Sequence, residues 1–223
     1  PVMVFEDCDI EAAAKLCAAG KFRNAGQVCV SPTRFFVQDK IHDKFVALFK
    51  EHVEAVNVGD GLAEGIDMGP LVAERRIEVM DDFVSDAVSN GAELLVGGSR
   101  IQSAGSFFAP TLLQEVPDTA RIMTEEPFGP IAPTARFSSL EEVIHLANSL
   151  PFGLAAYAFT GSAKTAGVLK QEIEAGMLAV NSLHVHSVET PFGGLKFSGY
   201  GHEGGVEGLE VFLATRYSSE IYG

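Results

Sequence analysis

Cys29 is the residue of this chain whose neighbours best suit covalent chemistry. It ends a loop segment rich in small and amide side chains, including Asn24, Gly26 and Gln27, and Arg23 lies six positions before it. A thiol attacks only as the thiolate, and a free cysteine titrates at about 8.5, so nearby donors or cations must help it. Asn24 and Gln27 donate hydrogen bonds without adding charge, and Gly26 lets the backbone approach a reacting group. The alternative is a small buried apolar residue, which is the commoner fate of a free cysteine.

Two later segments also combine charged, aromatic and glycine residues in predicted loops. Residues 125–130 read EEPFGP, and residues 191–204 read PFGGLKFSGYGHEG. Loops carry function more often than the elements that they connect. No G-x-G-x-x-G motif follows a predicted strand and opens a helix, so the chain carries no dinucleotide-binding fingerprint of its own.

These segments together resemble the NAD(P)-dependent aldehyde dehydrogenases. Residues 22–29 (FRNAGQVC) are similar to the active-site cysteine segment of that family, and the two later segments follow in the family's order. The opening residues 1–9 and the glycine-containing residues 59–71 also fit, so the resemblance extends from end to end. It covers only the C-terminal part of such an enzyme. The family's general-base glutamate, an oxyanion asparagine and the nucleotide-binding half would precede Pro1, so we expect a fragment that does not oxidise aldehydes by itself.

The resemblance implies roles for several residues. Cys29 would be the nucleophile, forming a thiohemiacetal whose oxidation leaves a thioester, with its own backbone N–H stabilising the oxyanion. Glu126 would bind the ribose hydroxyls of NAD or NADP, and Phe128 would lie against the nicotinamide ring. Phe192 would line the substrate funnel. Apart from the resemblance, a helix-capping acid and a core aromatic explain Glu126 and Phe128 equally well. The alternative for Phe192 is a loop anchor in the core.

Arg23 indicates a carboxylated substrate. Within the family, residues 21–27 are most similar to succinate-semialdehyde dehydrogenases, in which this arginine binds the substrate carboxylate through its fork of donors. Ser31 departs from that group, which often has a second cysteine there, and His186, with Ser187 beside it, stands where the group offers a serine to the carboxylate. Another ω-carboxylated semialdehyde, such as 2-oxoglutarate semialdehyde, therefore stays open, as does a purely structural Arg23 paired with an acid.

Two other functions stay open. An acylating dehydrogenase would pass the thioester to coenzyme A and would not need a general-base glutamate, because thiol exchange requires no activated water. A non-catalytic structural or assembly domain would have kept the fold alone. An inert, buried Cys29 favours the structural protein, and an alkylation-sensitive Cys29 favours the enzyme.

Composition limits the partners and the compartment. A net charge of −14 over 223 residues argues against nucleic acid and anionic membranes, and no apolar run approaches the roughly 20 residues of a membrane span. Three cysteines, Cys8, Cys17 and Cys29, form no C-x-x-C pair, which indicates a reducing cytoplasm. His184 and His186 have no further ligand at suitable spacing, so no metal site is predicted. The expected ligand is a small-molecule aldehyde.

The elements that must position these residues alternate between strand-like and helix-like apolar periods. This pattern predicts an α/β fold with a mostly parallel sheet flanked by helices, in which sites gather beyond the carboxyl ends of the strands. The predicted strands cover residues 34–37, 93–96, 131–137, 154–160 and 177–181, and residues 107–116 are predicted to be extended, with an interruption at Pro110. Helices are predicted to begin at Asp9, Ile41, Glu74, Ser139 and Ser162, the first ending at Gly20, and residues 183–200 are predicted to form one long loop.

The C-terminal residues are expected to serve assembly. Residues 1–205 form the predicted thiol-bearing catalytic domain and residues 206–223 a tail, with a short helix at 206–209. Residues 211–218 alternate weakly and predict an exposed C-terminal edge strand, and such edges are usually covered. In the family that the chain resembles, this tail pairs with a neighbouring subunit, so we expect a homodimer or homotetramer of the full-length protein.

Overall fold

A seven-stranded sheet organises the chain. The computed structural model describes residues 1–101 and 105–223. The strands are Val2–Val4 (β1), Phe35–Gln38 (β2), Glu93–Val96 (β3), Thr111–Gln114 (β4), Ile131–Phe137 (β5), Phe152–Gly153 (β6), Ala155–Phe159 (β7), Met177–Val180 (β8) and Leu195–Lys196 (β9). The large sheet has the order β3-β4-β5-β2-β1-β7-β8, and β3 alone pairs antiparallel. β6 and β9 form a separate antiparallel pair.

Helices cover the sheet because its central strands are apolar on both faces. All three residues of β1 are buried, which is typical of a parallel strand between helical layers. The helices are Ile10–Phe22 (α1), His42–Glu54 (α2), Arg75–Ser89 (α3), Leu140–Asn148 (α4), Ala163–Glu172 (α5) and Glu207–Glu210 (α6). The mostly parallel α/β fold predicted from the apolar periods is thereby confirmed. None of the described helices has both the length and the apolar character to cross a membrane.

Polar side-chain caps begin three of the helices that the sequence predicts. The Asp9 carboxylate accepts a hydrogen bond from the N–H of Ala12 at 3.1 Å and begins α1. Ser139 and Ser162 do the same for α4 and α5. Each cap satisfies a backbone donor that the first helical turn leaves free.

Three details of the predicted fold are wrong. α1 continues past Gly20 to Phe22, because Gly20 serves close packing: a Leu183 methyl occupies the place that a Cβ would need. The predicted loop 183–200 contains the short strand β9, which pairs with β6. Residues 211–218 form no strand and are exposed, because no described strand pairs with them.

Candidate active site

Cys29 lies at the tip of a tight turn between α1 and β2. Residues 28–31 form this turn, which is closed by a hydrogen bond from the N–H of Ser31 to the carbonyl of Val28 at 2.8 Å. Cys29 is exposed, whereas Cys17 is buried. The backbone N–H of Cys29 has no acceptor among the described residues. Cys29 is therefore exposed in this chain, and its own N–H is free to donate.

The two amide side chains near Cys29 hold its loop. Asn24 donates to the carbonyl of Gln27 at 3.0 Å, and Gln27 donates back to the carbonyl of Asn24 at 3.1 Å. The side-chain oxygen of Gln27 also accepts from the N–H of Val72 at 2.9 Å. These bonds stabilise the left-handed backbone at Asn24 and Ala25, where φ is 51° and 54°. Both amide side chains are thus hydrogen-bonded to backbone groups of the protein itself.

Gly26 joins the cysteine loop to the loop of residues 125–130. Its φ is +70°, and a Cβ at this position would collide with the backbone carbonyl of Gly129. Only glycine tolerates both the conformation and the contact. The close approach expected at Gly26 therefore exists, but it is made to Gly129 and not to a reacting group.

Cys29 and Glu126 line one cavity of about 680 Å³. Pro1, Arg34 and Ala155 line it too, and they stand at or just before the starts of β1, β2 and β7. The cavity lies at the amino ends of the parallel strands. For Cys29 and Glu126 the expectation of a site beyond the carboxyl ends is therefore wrong, because the connections that enter β2 and β5 carry these two residues.

Lys21 adds an unusual charge beneath this loop. It lies in the last turn of α1, is fully buried, and its backbone carbonyl accepts a weak bond from the Ser31 hydroxyl at 3.4 Å. Its Nζ has no hydrogen-bond partner among the described residues. Burial lowers the pKa of Lys21 to about 7, although the nearby Glu126 charge acts in the opposite direction.

Tyr157 on β7 contacts the cysteine turn from the sheet. Its hydroxyl donates to the carbonyl of Val30 at 2.6 Å. Burial raises the pKa of Tyr157, the Cys29 charge raises it further, and the Arg23 charge lowers it. Arg23 and Cys29 therefore both lie within electrostatic range of one hydroxyl group.

Three of the remaining predicted site residues line a second cavity, and two line neither cavity. His186, Ser187 and Phe192 line a second cavity of about 560 Å³, together with His184 and Glu203. The rings of His184 and His186 stack with centroids 5.4 Å apart, and Phe192 meets His186 edge-on at 6.0 Å.

Phe128 and Arg23 line neither of these two cavities. Phe128 has a φ of 42° and is 38% exposed, so its ring is not the core aromatic of the alternative interpretation. Arg23 is exposed at the start of a 3₁₀ turn, Arg23–Gly26, and makes none of the ion pairs found among the described residues.

Sequence reasoning missed Lys21, Tyr157 and a charged cluster at the start of α2. In that cluster the ligand atoms of His42, Asp43 and Glu115 lie within 4.8 Å of one another. Arg136 forms ion pairs with both carboxylates and so offsets part of their charge. Of the three, only Tyr157 leaves a trace in the sequence, as a large polar residue in an alanine-rich strand.

Residues 1–217 match the sequence model of the aldehyde dehydrogenase family, and the chain belongs to this family. A putative 4-(hydroxymethyl)benzenesulfonate dehydrogenase of Comamonas testosteroni is 46% identical over 97% of this chain and 45% of its own length. A mitochondrial succinate-semialdehyde dehydrogenase of Arabidopsis thaliana is 41% identical over 97% of this chain and 41% of its own length.

Solved structures agree with the sequence relatives. Lactaldehyde dehydrogenase from Escherichia coli superimposes with a TM-score of 0.94 at 33% identity, covering 97% of this chain and 46% of that one. Succinate-semialdehyde dehydrogenase from Burkholderia pseudomallei gives a TM-score of 0.92 at 38% identity, over 94% and 44%. The predicted family is confirmed, and the chain spans less than half the length of the relatives it matches.

Proposed function

We propose that this chain supplies the catalytic thiol of an aldehyde dehydrogenase that oxidises an aldehyde to a carboxylic acid. One observation carries the proposal: an exposed Cys29 shares a cavity with Glu126. A structural or assembly domain would not require an accessible thiol there. The exposure of Cys29 therefore favours the enzyme over that alternative.

The chemistry begins at sulfur. The Cys29 thiolate bonds to the aldehyde carbon, and the carbonyl electron pair moves onto oxygen to give an oxyanion. The unpaired N–H of Cys29 is the donor that this chain offers to the oxyanion. NAD or NADP, when bound, supplies the acceptor for the hydride. Oxidation leaves a thioester on Cys29, which water cleaves to the acid; in the acylating alternative, coenzyme A takes the acyl group.

Glu126 and Phe128 suit the nicotinamide end of the cofactor. Glu126 is exposed at the cavity, and a carboxylate accepts two ribose hydroxyls well. Phe128 presents a partly exposed ring in the same loop. The rest of the cofactor would be bound by a nucleotide-binding domain outside this chain, so the chain alone is expected to be inactive with NAD or NADP.

We propose a substrate with a negative charge remote from the aldehyde, in the first instance a carboxylated semialdehyde. Arg23 is an exposed guanidinium within electrostatic range of the same hydroxyl as Cys29. The names of the two relatives above specify a sulfonate and a succinate semialdehyde, which share such an anionic group. His186, Ser187 and Phe192 would line the approach to the thiol.

Residues 1–205 would form the catalytic domain and residues 206–223 an oligomerisation arm. The arm exposes several large apolar side chains, which exposed tails bury on assembly. They include Val206, Leu209, Phe212, Tyr217 and Ile221. A cytoplasmic homodimer or homotetramer follows from this proposal, with the three free cysteines suited to a reducing compartment.

The test uses the whole protein that contains this chain. Formation of NADH or NADPH is followed with succinate semialdehyde and with butanal, which has the same carbon count but no carboxylate. Cys29→Ser should abolish turnover of both, and the matched Cys8→Ser should not. Arg23→Met should raise KM for succinate semialdehyde at least about tenfold and leave butanal unchanged. Full activity in Cys29→Ser would overturn the proposal, and thioester formation only with coenzyme A would establish the acylating alternative.

A further inference from the structure

Tyr157 is a buried phenol in a strand otherwise built from small and apolar residues. β7 reads AAYAF, and Tyr157 is 2% exposed. Phenylalanine would fill the same space, so packing alone does not explain the hydroxyl. A buried hydroxyl requires a hydrogen-bond partner, and Tyr157 finds it 127 positions away, at Val30.

This bond reaches the turn that carries the thiol. Val30 follows Cys29 directly, and the turn of residues 28–31 is closed internally by the bond from Ser31 to Val28. The Ser31 hydroxyl makes one further bond out of the turn, at 3.4 Å. The hydrogen bond from Tyr157 to Val30 is shorter, at 2.6 Å. It connects the turn directly to β7 of the seven-stranded sheet.

The Tyr157 hydroxyl keeps its proton at neutral pH and remains a hydrogen-bond donor. Burial and the Cys29 charge both raise the pKa of Tyr157, and the Arg23 charge only partly opposes them. Tyr157 therefore does not act as a base towards the thiol. Its contribution is to hold the peptide group between Val30 and Ser31, which follows Cys29 by one residue.

We propose that Tyr157 is a positioning residue for Cys29. Its hydrogen bond to Val30 fixes the turn so that the Cys29 sulfur and the Cys29 N–H address the same carbonyl group at once. The inference rests on the proposed function, because it assumes that a carbonyl compound reacts at Cys29. The rate of addition to a carbonyl group falls steeply when the nucleophile and the oxyanion donor are no longer held in a fixed relative position.

The test compares two electrophiles on this chain. The Cys29 thiolate attacks the carbonyl carbon of 4-nitrophenyl acetate and forms an oxyanion. 4-Nitrophenolate then leaves with the electron pair of the broken C–O bond, and the acetyl group stays on sulfur. Iodoacetamide is attacked at a saturated carbon and needs no oxyanion donor. The ratio of the two second-order rates cancels thiolate content and exposure, so it reports positioning. Cys29→Ala gives the blank for the other thiols.

Tyr157→Phe should lower the acylation-to-alkylation ratio about fivefold, the effect of losing one ordinary hydrogen bond. Thr134→Val is the matched control, because Thr134 is also a buried sheet residue whose hydroxyl donates to a distant carbonyl, that of Leu113 at 3.1 Å. It should leave the ratio within about twofold, since it destabilises the fold without touching the turn. The ratio should differ in this way at every pH at which both rates are measurable.

The outcomes separate this inference from the proposed function. An unchanged ratio in Tyr157→Phe, with normal acylation of the native chain, would overturn the positioning role alone. An equal fall in Thr134→Val would also overturn it, because the effect would then follow stability. A native chain that is alkylated at Cys29 but never acylated would contradict the proposed function, and the positioning role with it.

Discussion

The buried amine of Lys21 predicts that one substitution makes the chain more stable. Lys21 is fully buried, and its Nζ has no partner among the described residues. Lys21→Met keeps an unbranched apolar chain of similar length and removes the ionisable group. Burial lowers the pKa of Lys21 from 10.5, its ordinary value, to about 7. This difference corresponds to about 5 kcal/mol, at about 1.4 kcal/mol for each tenfold change.

The free energy of unfolding of the native chain should depend on pH because of Lys21. Between pH 7 and 10.5 the unfolded lysine binds more protons than the folded one, so the native chain gains stability as the pH rises. At pH 7 the folded amine is about half protonated, and Lys21→Met should be more stable than the native chain by about 4 kcal/mol. At about pH 9.5 the advantage should shrink to about 1 kcal/mol, because unfolded lysine is then losing its proton.

Urea unfolding at the two pH values measures both quantities. Lys15→Met is the matched control, since Lys15 is exposed on the same helix. It should change the free energy of unfolding by no more than about 0.5 kcal/mol at either pH. A Lys21→Met variant less stable than the native chain at pH 7 would refute the reasoning, as would an advantage that does not change with pH.

Two other perturbations test the loop junction and the charged cluster. Gly26→Ala should cost at least about 2 kcal/mol of stability, measured by urea unfolding, because it adds strain at positive φ and a collision with the Gly129 carbonyl. Gly61→Ala, where a Cβ meets nothing within 4 Å, should be nearly neutral, and equal costs would refute this account. Burial lowers the pKa of His42 below 6.5, so its contribution to stability is present above pH 6.5 and is lost as the pH falls through the folded pKa. His42→Phe should therefore lose less stability than the native chain between pH 7 and 5.5, and an equal loss would contradict this assignment.

Sequence reasoning found the elements whose signals are local. Ser139 and Ser162 mark the starts of their helices, because a cap accepts a hydrogen bond from a backbone N–H three residues away. β5 has the predicted bounds, and six of its seven residues are buried. The strand predicted at residues 211–218 does not form, because a strand requires a partner strand and a weak apolar alternation does not supply one. Local pattern cannot tell whether an exposed edge is paired within the chain.

The parts of the site that the sequence did not reveal depend on distant contacts. The approach of Gly26 to Gly129 and the bond from Tyr157 to Val30 each join segments more than a hundred positions apart. The amino-end location was missed because the general rule concerns loops that leave strands, whereas Cys29 lies in a connection that enters one. Cys29 itself is proposed from its neighbours and from the family resemblance, and its exposure agrees with that proposal.

The most direct test of the account is the order in which the three thiols react. Burial raises the pKa of Cys8 to about 11 and raises that of the fully buried Cys17 as well, whereas Cys29 is exposed. With less than one equivalent of iodoacetamide at about pH 7, peptide mapping by mass spectrometry should find the label at Cys29. Equal or faster labelling of Cys8 or Cys17, or an unreactive Cys29 in the folded chain, would contradict the claim that Cys29 is an accessible nucleophile.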